Sequence, residues 1–143
     1  MTLSIGMLAR RAGAKVQTIR YYEQIGLMAE PIRTYGGQRR YEEDAVKRLS
    51  FIRHARALGF SLDQIRNLLE LADDPKRDCT AADSIAREHL AAVKAKIAAL
   101  NSLKRELIRM VDCCDGTDTA HCRVIETLAN HDLCASPNHE PVQ

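Results

Sequence analysis

The sequence contains no tryptophan, and its two phenylalanines and four tyrosines amount to only 4% of 143 residues. Any hydrophobic core is therefore mainly aliphatic. Glycine and proline are also scarce, with 7 and 4 residues, and this scarcity favours helices over a turn-rich β fold. These deficits predict a mainly α protein of one ordinary domain, or of a small domain with an extension.

Long apolar segments are missing as well. No stretch approaches the ~20 apolar residues that cross a bilayer, and residues 1–11 lack the apolar run and the cleavage site of a secretion signal. We therefore expect a cytoplasmic protein without membrane association. In that reducing compartment, the five cysteines favour metal or redox chemistry over a disulfide framework.

Positive charge is concentrated in the amino-terminal part. Residues 1–56 contain 11 Lys and Arg against 5 Asp and Glu, a net charge of +6, whereas residues 57–143 contain 10 against 14, a net charge of −4. A basic segment beside an acidic one indicates that only the first part meets a polyanion. A solvated basic face without a partner is the open alternative.

Two short helices joined by a tight turn are predicted at the start of the chain. Ser4 is suited to cap a first helix over residues 5–12, which Gly13 ends. A second helix over residues 15–25 follows almost immediately and stops at Gly26. This order is typical of a helix-turn-helix.

A two-stranded wing and two further helices are predicted next. Residues 27–41 contain Pro31 and a Gly36-Gly37 turn, and a third helix covers residues 42–58. Ser61 and Gln64 have the spacing of a capping box for a fourth helix that reaches about residue 71. The Asp73-Asp74-Pro75 segment marks a domain boundary.

Residues 80–112 form one uninterrupted helical pattern, with Thr80 as its expected N-cap. Apolar side chains recur alternately four and three residues apart, which is a heptad seam. Because the remaining chain is too short to bury this seam, a partner helix is needed, and a homodimer is the economical answer. The seam consists of Ala86, Leu90, Val93, Ile97, Leu100, Lys104, Leu107 and Val111.

The run VQTIRYYE at residues 16–23, followed by Ile25-Gly26-Leu27, resembles the recognition-helix signature of the MerR family of transcription regulators. The resemblance extends over about residues 3–128. It implies a winged helix-turn-helix domain at residues 1–74, a linker and antiparallel coiled-coil dimerisation helix at 75–112, and a metal-binding loop with a short helix at 113–128. We expect residues 129–143 to form a flexible tail.

The resemblance also implies a function. Proteins of this family are dimeric activators that bind promoter DNA, and their inducer changes how the dimer bends and untwists the duplex, so that RNA polymerase can use it. The second helix would lie in the major groove. The expected DNA contacts are Lys15, Thr18, Arg20, Tyr21, Tyr22, Arg33, Gln38, Arg39, Tyr41 and Arg56. Since Tyr21 and Tyr22 are adjacent on a helix, one of them is expected to pack inward.

The cysteines predict a metal site shared between subunits. Cys79 precedes the long helix, whereas Cys113, Cys114, His121 and Cys122 follow it. A helix of 33 residues is about 50 Å long, so its two ends meet only in an antiparallel dimer. Cys79 of one subunit would then join Cys114 and Cys122 of the other. The separation of 35 residues between Cys79 and Cys114 matches the family's metal sensors, and Cys113 and His121 are additional candidate ligands.

Three thiolates, with or without an imidazole, suit Zn(II), Cd(II), Pb(II) or Hg(II). The family's Cu(I) and Ag(I) sensors have a serine in place of Cys79, so a divalent ion and control of metal-resistance or efflux genes are expected. A Cu(I)/Ag(I) sensor, a thiol redox regulator and a coiled-coil metal-buffering protein remain alternatives. An enzyme is not expected, because the sequence has no recognisable catalytic set.

Overall fold

The computed structural model describes residues 2–112 and 118–134. The chain divides into two compact units, residues 1–82 and residues 83–143, and the predicted mainly α fold with a long helix is confirmed. The elements in chain order are α1 (Ile5–Ala12), α2 (Val16–Gln24), β1 (Ile32–Arg33), β2 (Arg39–Arg40), α3 (Glu43–Ala57), α4 (Leu62–Ala72), α5 (Thr80–Asp112) and α6 (Arg123–Ala129), with 3₁₀ helices at Thr119–His121 and His131–Leu133.

The helix-turn-helix begins and turns as its capping residues predict. The hydroxyl of Ser4 accepts a hydrogen bond of 3.2 Å from the backbone N–H of Met7, and this satisfies a donor that the first turn of α1 leaves unpaired. Gly13 ends α1 with a φ of 67°, a left-handed conformation that costs other residues free energy. A Cβ atom at Gly13 would also lie 2.7 Å from Arg53 Nη1.

Arginine side chains from α3 and α4 close the ends of the first two helices. Arg53 Nη1 donates to the carbonyl of Ala12 at 2.5 Å, and Arg66 Nη2 donates to the carbonyl of Ile25 at 2.7 Å. Carbonyl groups at a helix C-terminus have no partner within the helix and attract positive charge. The two arginines therefore fix the turns of the motif onto the helices behind it.

The core of the first unit is aliphatic, as the composition predicts. Six side chains that are fully buried come from the helices and from the start of the wing: Leu8, Ile19, Leu27, Leu49, Ile52 and Ile65. Each such side chain contributes roughly 1.5–3 kcal/mol when it leaves water. Contacts of α1 with α2 and α3, and of α3 with α4, surround this cluster.

The predicted wing is a short antiparallel hairpin. Ile32 pairs with Arg40 and Arg33 pairs with Arg39. The turn is closed by a 2.9 Å hydrogen bond from Gly37 N–H to the Thr34 carbonyl, and Gly37 has a φ of 81°. The position of the turn, at Gly36-Gly37, agrees with the sequence pattern.

The start of α4 confirms the predicted capping box, since Ser61 and Gln64 each bond the other's backbone N–H. The start of α5 differs from the prediction. Thr80 is the first helical residue rather than the N-cap, and its N–H donates to Asp78 Oδ1 at 3.1 Å. This hydrogen bond, together with one from the Thr80 side chain, lowers the pKa of Asp78. The carboxylate of Asp78, two residues before Thr80, therefore caps the start of α5.

In the second unit, α5 has two different faces. The predicted seam is an exposed apolar stripe, in which Leu90, Val93, Ile97, Leu100, Leu107 and Val111 are 36–66% exposed. Glu106 and Met110 lie on another face and are buried, at 5% and 6% exposure. There, the guanidinium of Arg109 donates to the carbonyl of Leu133. Residues 131–134, assigned to the tail by sequence, thus lie against the end of α5.

Within residues 2–112 and 118–134, no helix combines the length and the apolar character that crossing a membrane requires.

Candidate DNA-binding surface and metal ligands

The start and the outer face of α2 carry four of the ten predicted contacts. Arg20 is exposed and Tyr21 is 47% exposed, while Thr18 is half-buried. Lys15 is the exposed N-cap residue of the helix. Positively charged and hydroxyl-bearing side chains at the start of a helix are suited to phosphate contacts, and Arg20 can also donate in a fork to guanine.

Two tyrosines from the predicted set are largely buried. Tyr22 is 8% exposed and belongs to the core, so Tyr21 is the outward member of the pair. Tyr41 is 3% exposed, and its hydroxyl donates a 2.5 Å hydrogen bond to Glu23 Oε1. This burial argues against direct DNA contacts by Tyr22 and Tyr41, and both contacts stay predictions.

Arg56 adjoins the recognition helix. Its side chain lines one shallow pocket with Thr18 and Tyr21 of α2, and its Nη1 donates to the carbonyl of Phe60 at 3.1 Å. Arg56 is exposed, so its remaining donors are accessible. This position fits the predicted phosphate contact.

Three arginines surround a second cavity, of about 330 Å³, between α2 and the wing. They are Arg20 of α2, Arg33 of β1 and Arg39 of β2, and two carboxylates, Glu23 and Glu30, line the same cavity. Arg33 Nη1 also donates to the Gly37 carbonyl at 3.1 Å, which braces the hairpin. Gln38 is exposed beside the turn.

The tip of the hairpin carries an aromatic residue that the predicted set omitted. The side chain of Tyr35 is fully exposed, and the hairpin turn beside it is held by a 3.2 Å hydrogen bond from Gln38 N–H to Thr34 Oγ1. The position of Tyr35 directly before the predicted Gly36-Gly37 turn is the signal in the sequence that could have indicated its exposure.

Several basic residues of the amino-terminal part have partners inside the protein. Both terminal nitrogens of Arg11 contact the carboxylate of Glu43 at 2.6 Å, and the Arg11 hydrogen bonds lower the pKa of Glu43. Arg48 Nε donates to the Leu27 carbonyl at 2.7 Å, and its Nη1 lies 3.2 Å from Asp73. The side chains of Arg11 and Arg48 are therefore engaged within the protein rather than directed at a ligand.

The cysteines that the structure describes are separate from one another in chain position and environment. Cys79 is exposed before α5, and Cys122 is half-buried as the N-cap residue of α6. The predicted ligands Cys113 and Cys114 lie outside the described residues. In the described part of the chain, the cysteines form no disulfide, and no three His, Cys, Asp or Glu side chains converge on a metal-sized site.

His121 is held by a carboxylate. Its Nδ1 lies 2.7 Å from Asp118 Oδ1, and the same oxygen accepts the His121 backbone N–H at 3.1 Å. Metal-binding histidines are commonly oriented by a carboxylate at the nitrogen that does not bind the metal. His121 is exposed, so its Nε2 is accessible to a ligand.

Cys134 has a polar environment that the sequence did not indicate. It is half-buried, and burial raises the pKa of its thiol, as do the charge and hydrogen bonding of Glu106. Arg109 acts in the opposite direction. Cys134 therefore packs against α5 as a neutral thiol and is not an exposed tail residue.

Comparison with known proteins identifies the family. Residues 3–72 match the model described as "MerR HTH family regulatory protein", and residues 46–110 match "MerR, DNA binding". The chain is 46% identical to the transcriptional regulator ZntR of Escherichia coli K12 over 127 residues, which are 87% of this chain and 90% of that protein.

Two solved structures are similar over most of both chains. The lead(II) complex of the transcription regulator PbrR691 from Ralstonia metallidurans CH34 has a TM-score of 0.80 and 39% identity, covering 88% of this chain and 98% of that one. The mercury(II) complex of the transcriptional regulator MerR from Bacillus megaterium MB1 has a TM-score of 0.69 and 30% identity, covering 90% and 100%. The chain therefore belongs to the MerR family of helix-turn-helix transcription regulators.

Proposed function

We propose that this protein is a homodimeric, metal-responsive transcription regulator that binds promoter DNA through α2 and the wing. A thiophilic divalent ion, one of Zn(II), Cd(II), Pb(II) or Hg(II), switches it to activate metal-resistance or efflux genes. The observation that carries the proposal is the placement of Arg20, Arg33 and Arg39 around one surface cavity in a chain of this family.

The DNA-binding part of the proposal follows from the chemistry of that surface. Guanidinium groups bind phosphate and guanine through paired N–H donors, and the α2 side chains beside them are exposed at the residues that would enter a major groove. Lys15, Thr18, Arg20, Tyr21, Arg33, Gln38, Arg39 and Arg56 form the proposed interface, and Tyr35 at the wing tip is an additional candidate.

The dimeric part of the proposal is supported by the apolar stripe on α5. Leu100 and Leu107 are 52% and 60% exposed, and they line an apolar groove with Leu103, Ile108 and Val111. A helix that leaves this much apolar surface in water gains stability when a second helix covers it. An antiparallel second copy would do so, and would bring Cys79 of one subunit next to the loop of the other.

The donor set fits a soft or borderline metal ion. Cys79 and Cys122 are thiols without a disulfide partner among the described residues, and His121 has an accessible ring nitrogen. We propose Cys79 of one subunit with Cys114 and Cys122 of the partner as ligands, and Cys113 and His121 as additional ones. When bound, the metal would supply positive charge that links the two subunits.

A divalent ion is favoured over a monovalent one because Cys79 adds a third thiolate to the pair in the loop. Three negative sulfur ligands balance a charge of +2 better than a charge of +1. The two similar structures contain lead(II) and mercury(II), which agrees with this choice. By binding cysteines of both subunits, the ion would change the shape in which the dimer holds the duplex. RNA polymerase would then use the distorted promoter.

The test is promoter output measured against a panel of Zn, Cd, Pb, Hg, Cu and Ag salts. We expect induction by at least one divalent ion. Cys79→Ser should abolish this induction while DNA affinity in the absence of metal changes less than twofold, and Cys134→Ser is the matched control that should keep it. Unchanged induction in Cys79→Ser would remove the shared site, and induction by Cu or Ag alone would favour the monovalent alternative.

A second experiment tests the DNA-binding residues. Arg20→Ala should weaken binding to the preferred duplex by about 10- to 100-fold, because a bidentate contact to a base contributes roughly 1–3 kcal/mol of discrimination. The measurement is affinity for the preferred duplex and for single-base variants of it. An equal loss on every sequence would make Arg20 a phosphate contact only.

A further inference from the structure

Glu23 occupies an unusual position at the end of α2. It is an acidic residue on a basic surface, its side chain is only 8% exposed, and it is in the last turn of the helix. Its two carboxylate oxygens contact two residues of the wing. Tyr41 Oη lies 2.5 Å from Oε1, and Arg39 Nε lies 3.7 Å from Oε2.

A buried carboxylate is stable only when its partners replace the water that it loses. The tyrosine hydroxyl supplies a charge-assisted hydrogen bond, which is shorter and stronger than a neutral one. The guanidinium of Arg39 supplies an opposite charge. Because Arg39 Nε is buried and has no hydrogen bond among the described residues, its ion pair with Glu23 is the interaction that compensates it.

Tyr41 is itself fixed by the backbone on its other side. Its N–H donates to the Leu3 carbonyl at 2.9 Å, and its carbonyl accepts the Leu3 N–H at 2.7 Å. Tyr41 thus joins the base of the wing to the start of the chain through its main chain, and to α2 through its hydroxyl. Glu23 therefore contacts a rigid part of the wing.

The arginines at this surface repel one another, and the carboxylate of Glu23 reduces this repulsion. Arg33 and Arg39 are paired directly across the hairpin, and Arg20 lines the same cavity. Positive side chains opposite each other in a hairpin are destabilising. The buried charge of Glu23 lowers this repulsion, and it does so from a fixed point at the end of the helix.

We infer that Glu23 is a positioning residue: through Tyr41 and Arg39 it fixes the wing to the recognition helix, so that Arg39 is preset for a phosphate next to the groove that α2 occupies. This inference rests on the proposed DNA-binding function. By its charge alone, Glu23 opposes DNA binding. Through its contacts with Tyr41 and Arg39, it would favour DNA binding.

The negative charge of Glu23 weakens DNA binding, whereas its positioning of Arg39 strengthens DNA binding. One substitution therefore distinguishes the two effects. Glu23→Gln keeps an oxygen for the Tyr41 hydroxyl but removes the charge that holds Arg39. If only net charge mattered, this change would strengthen DNA binding. We expect it to weaken binding to the preferred duplex by about tenfold, the effect of losing one charged hydrogen bond from Arg39 to a phosphate. The salt dependence of binding should fall by about one phosphate contact.

Glu30→Gln is the matched control, because Glu30 is exposed and lines the same cavity. It should leave the affinity unchanged or increase it. The preferred duplex is first selected from a random pool by the unaltered full chain. If no duplex is selected, the proposed function fails, whereas a selected duplex that Glu23→Gln binds as well as the unaltered chain overturns only the inference.

A double-mutant cycle keeps the test valid if Glu23→Gln is less stable. Arg39→Gln should weaken binding by about tenfold in the unaltered chain but by less than threefold in the Glu23→Gln background, since Arg39 is then no longer preset. Affinity is measured well below the unfolding temperature of each variant. Losses that multiply independently in the double variant would show that Glu23 does not act through Arg39.

Discussion

Arginine side chains have three different environments in this protein. Arg53 and Arg66 donate to carbonyl groups at the ends of α1 and α2, and Arg11 is paired with Glu43. Arg20 and Arg33, by contrast, line a solvent-accessible cavity. Substituting Arg53 or Arg66 is therefore expected to change stability, whereas substituting Arg20 or Arg33 is expected to change the proposed DNA binding.

The buried hydroxyl of Tyr41 leads to a prediction about pH. Burial, together with the hydrogen bond and charge of Glu23, raises the Tyr41 pKa well above its usual value near 10. Above pH ~10 the unfolded chain loses this proton while the folded chain keeps it, so the free energy of unfolding decreases as pH rises. The decrease amounts to roughly 1.4 kcal/mol per pH unit for one such group.

Denaturant unfolding between pH 9 and 11 measures this effect. Tyr41→Phe should have a flatter profile than the unaltered chain, and the exposed Tyr21→Phe variant should keep the original slope. Equal slopes in all three proteins would contradict the assignment.

The sequence predicted that one of two adjacent tyrosines packs inward, but it did not show which one. Helix geometry requires Tyr21 and Tyr22 to point in different directions, but it does not say which one meets the core. The choice depends on how α2 packs, which is a tertiary property. The burial of Tyr41 was not predictable for the same reason, because its partner Glu23 is 18 residues away in sequence.

Secondary-structure elements begin and end where local chemistry is strong. The bounds of α1 and the end of α5 agree with the sequence pattern, whereas the start of α5 and the bounds of the other main helices differ by one residue. Ser4 and Ser61 act through hydrogen bonds to N–H groups three residues away, and such local signals are visible in a sequence. The closure of helix ends by distant arginines is not, since Arg53 is 41 residues from Ala12.

Gly13 provides a test at the level of the element. Gly13→Ala forces a residue with a Cβ atom into a left-handed conformation, which costs about 1–2 kcal/mol, and it displaces Arg53 from the Ala12 carbonyl. Gly6→Ala is the matched control, because its nearest side-chain atom is Ser4 Oγ at 4.0 Å. There, alanine should stabilise the helix by up to about 1 kcal/mol.

Thermal unfolding of both variants checks the prediction. A Gly13→Ala protein that is as stable as the unaltered chain would mean that the turn relaxes without strain.

At the level of the whole molecule, the main apolar surface that the described residues leave exposed is the stripe along α5. The described chain has no surface that covers Leu90, Ile97, Leu100 or Leu107, all of which are more than half exposed. The heptad spacing made the stripe predictable. The packing of residues 131–134 beside Glu106 and Arg109 was not, because a segment of four residues is too short to show a periodic signal.

Leu100→Glu tests whether the stripe joins two chains. A charge in the middle of an apolar interface is costly to bury in each subunit, so we expect the mass in solution to fall from twice 16.0 kDa to 16.0 kDa. Ala98→Glu adds the same charge at an exposed position off the stripe and should remain dimeric. Light scattering coupled to gel filtration measures both. A 16.0 kDa species in the unaltered protein would exclude the dimer.

The apolar stripe of α5 and the face that contacts Leu133 use different residues of one helix. Because side chains on one face have no direct steric effect on the other, the stripe can be redesigned for a different partner helix while the contact with Leu133 is kept.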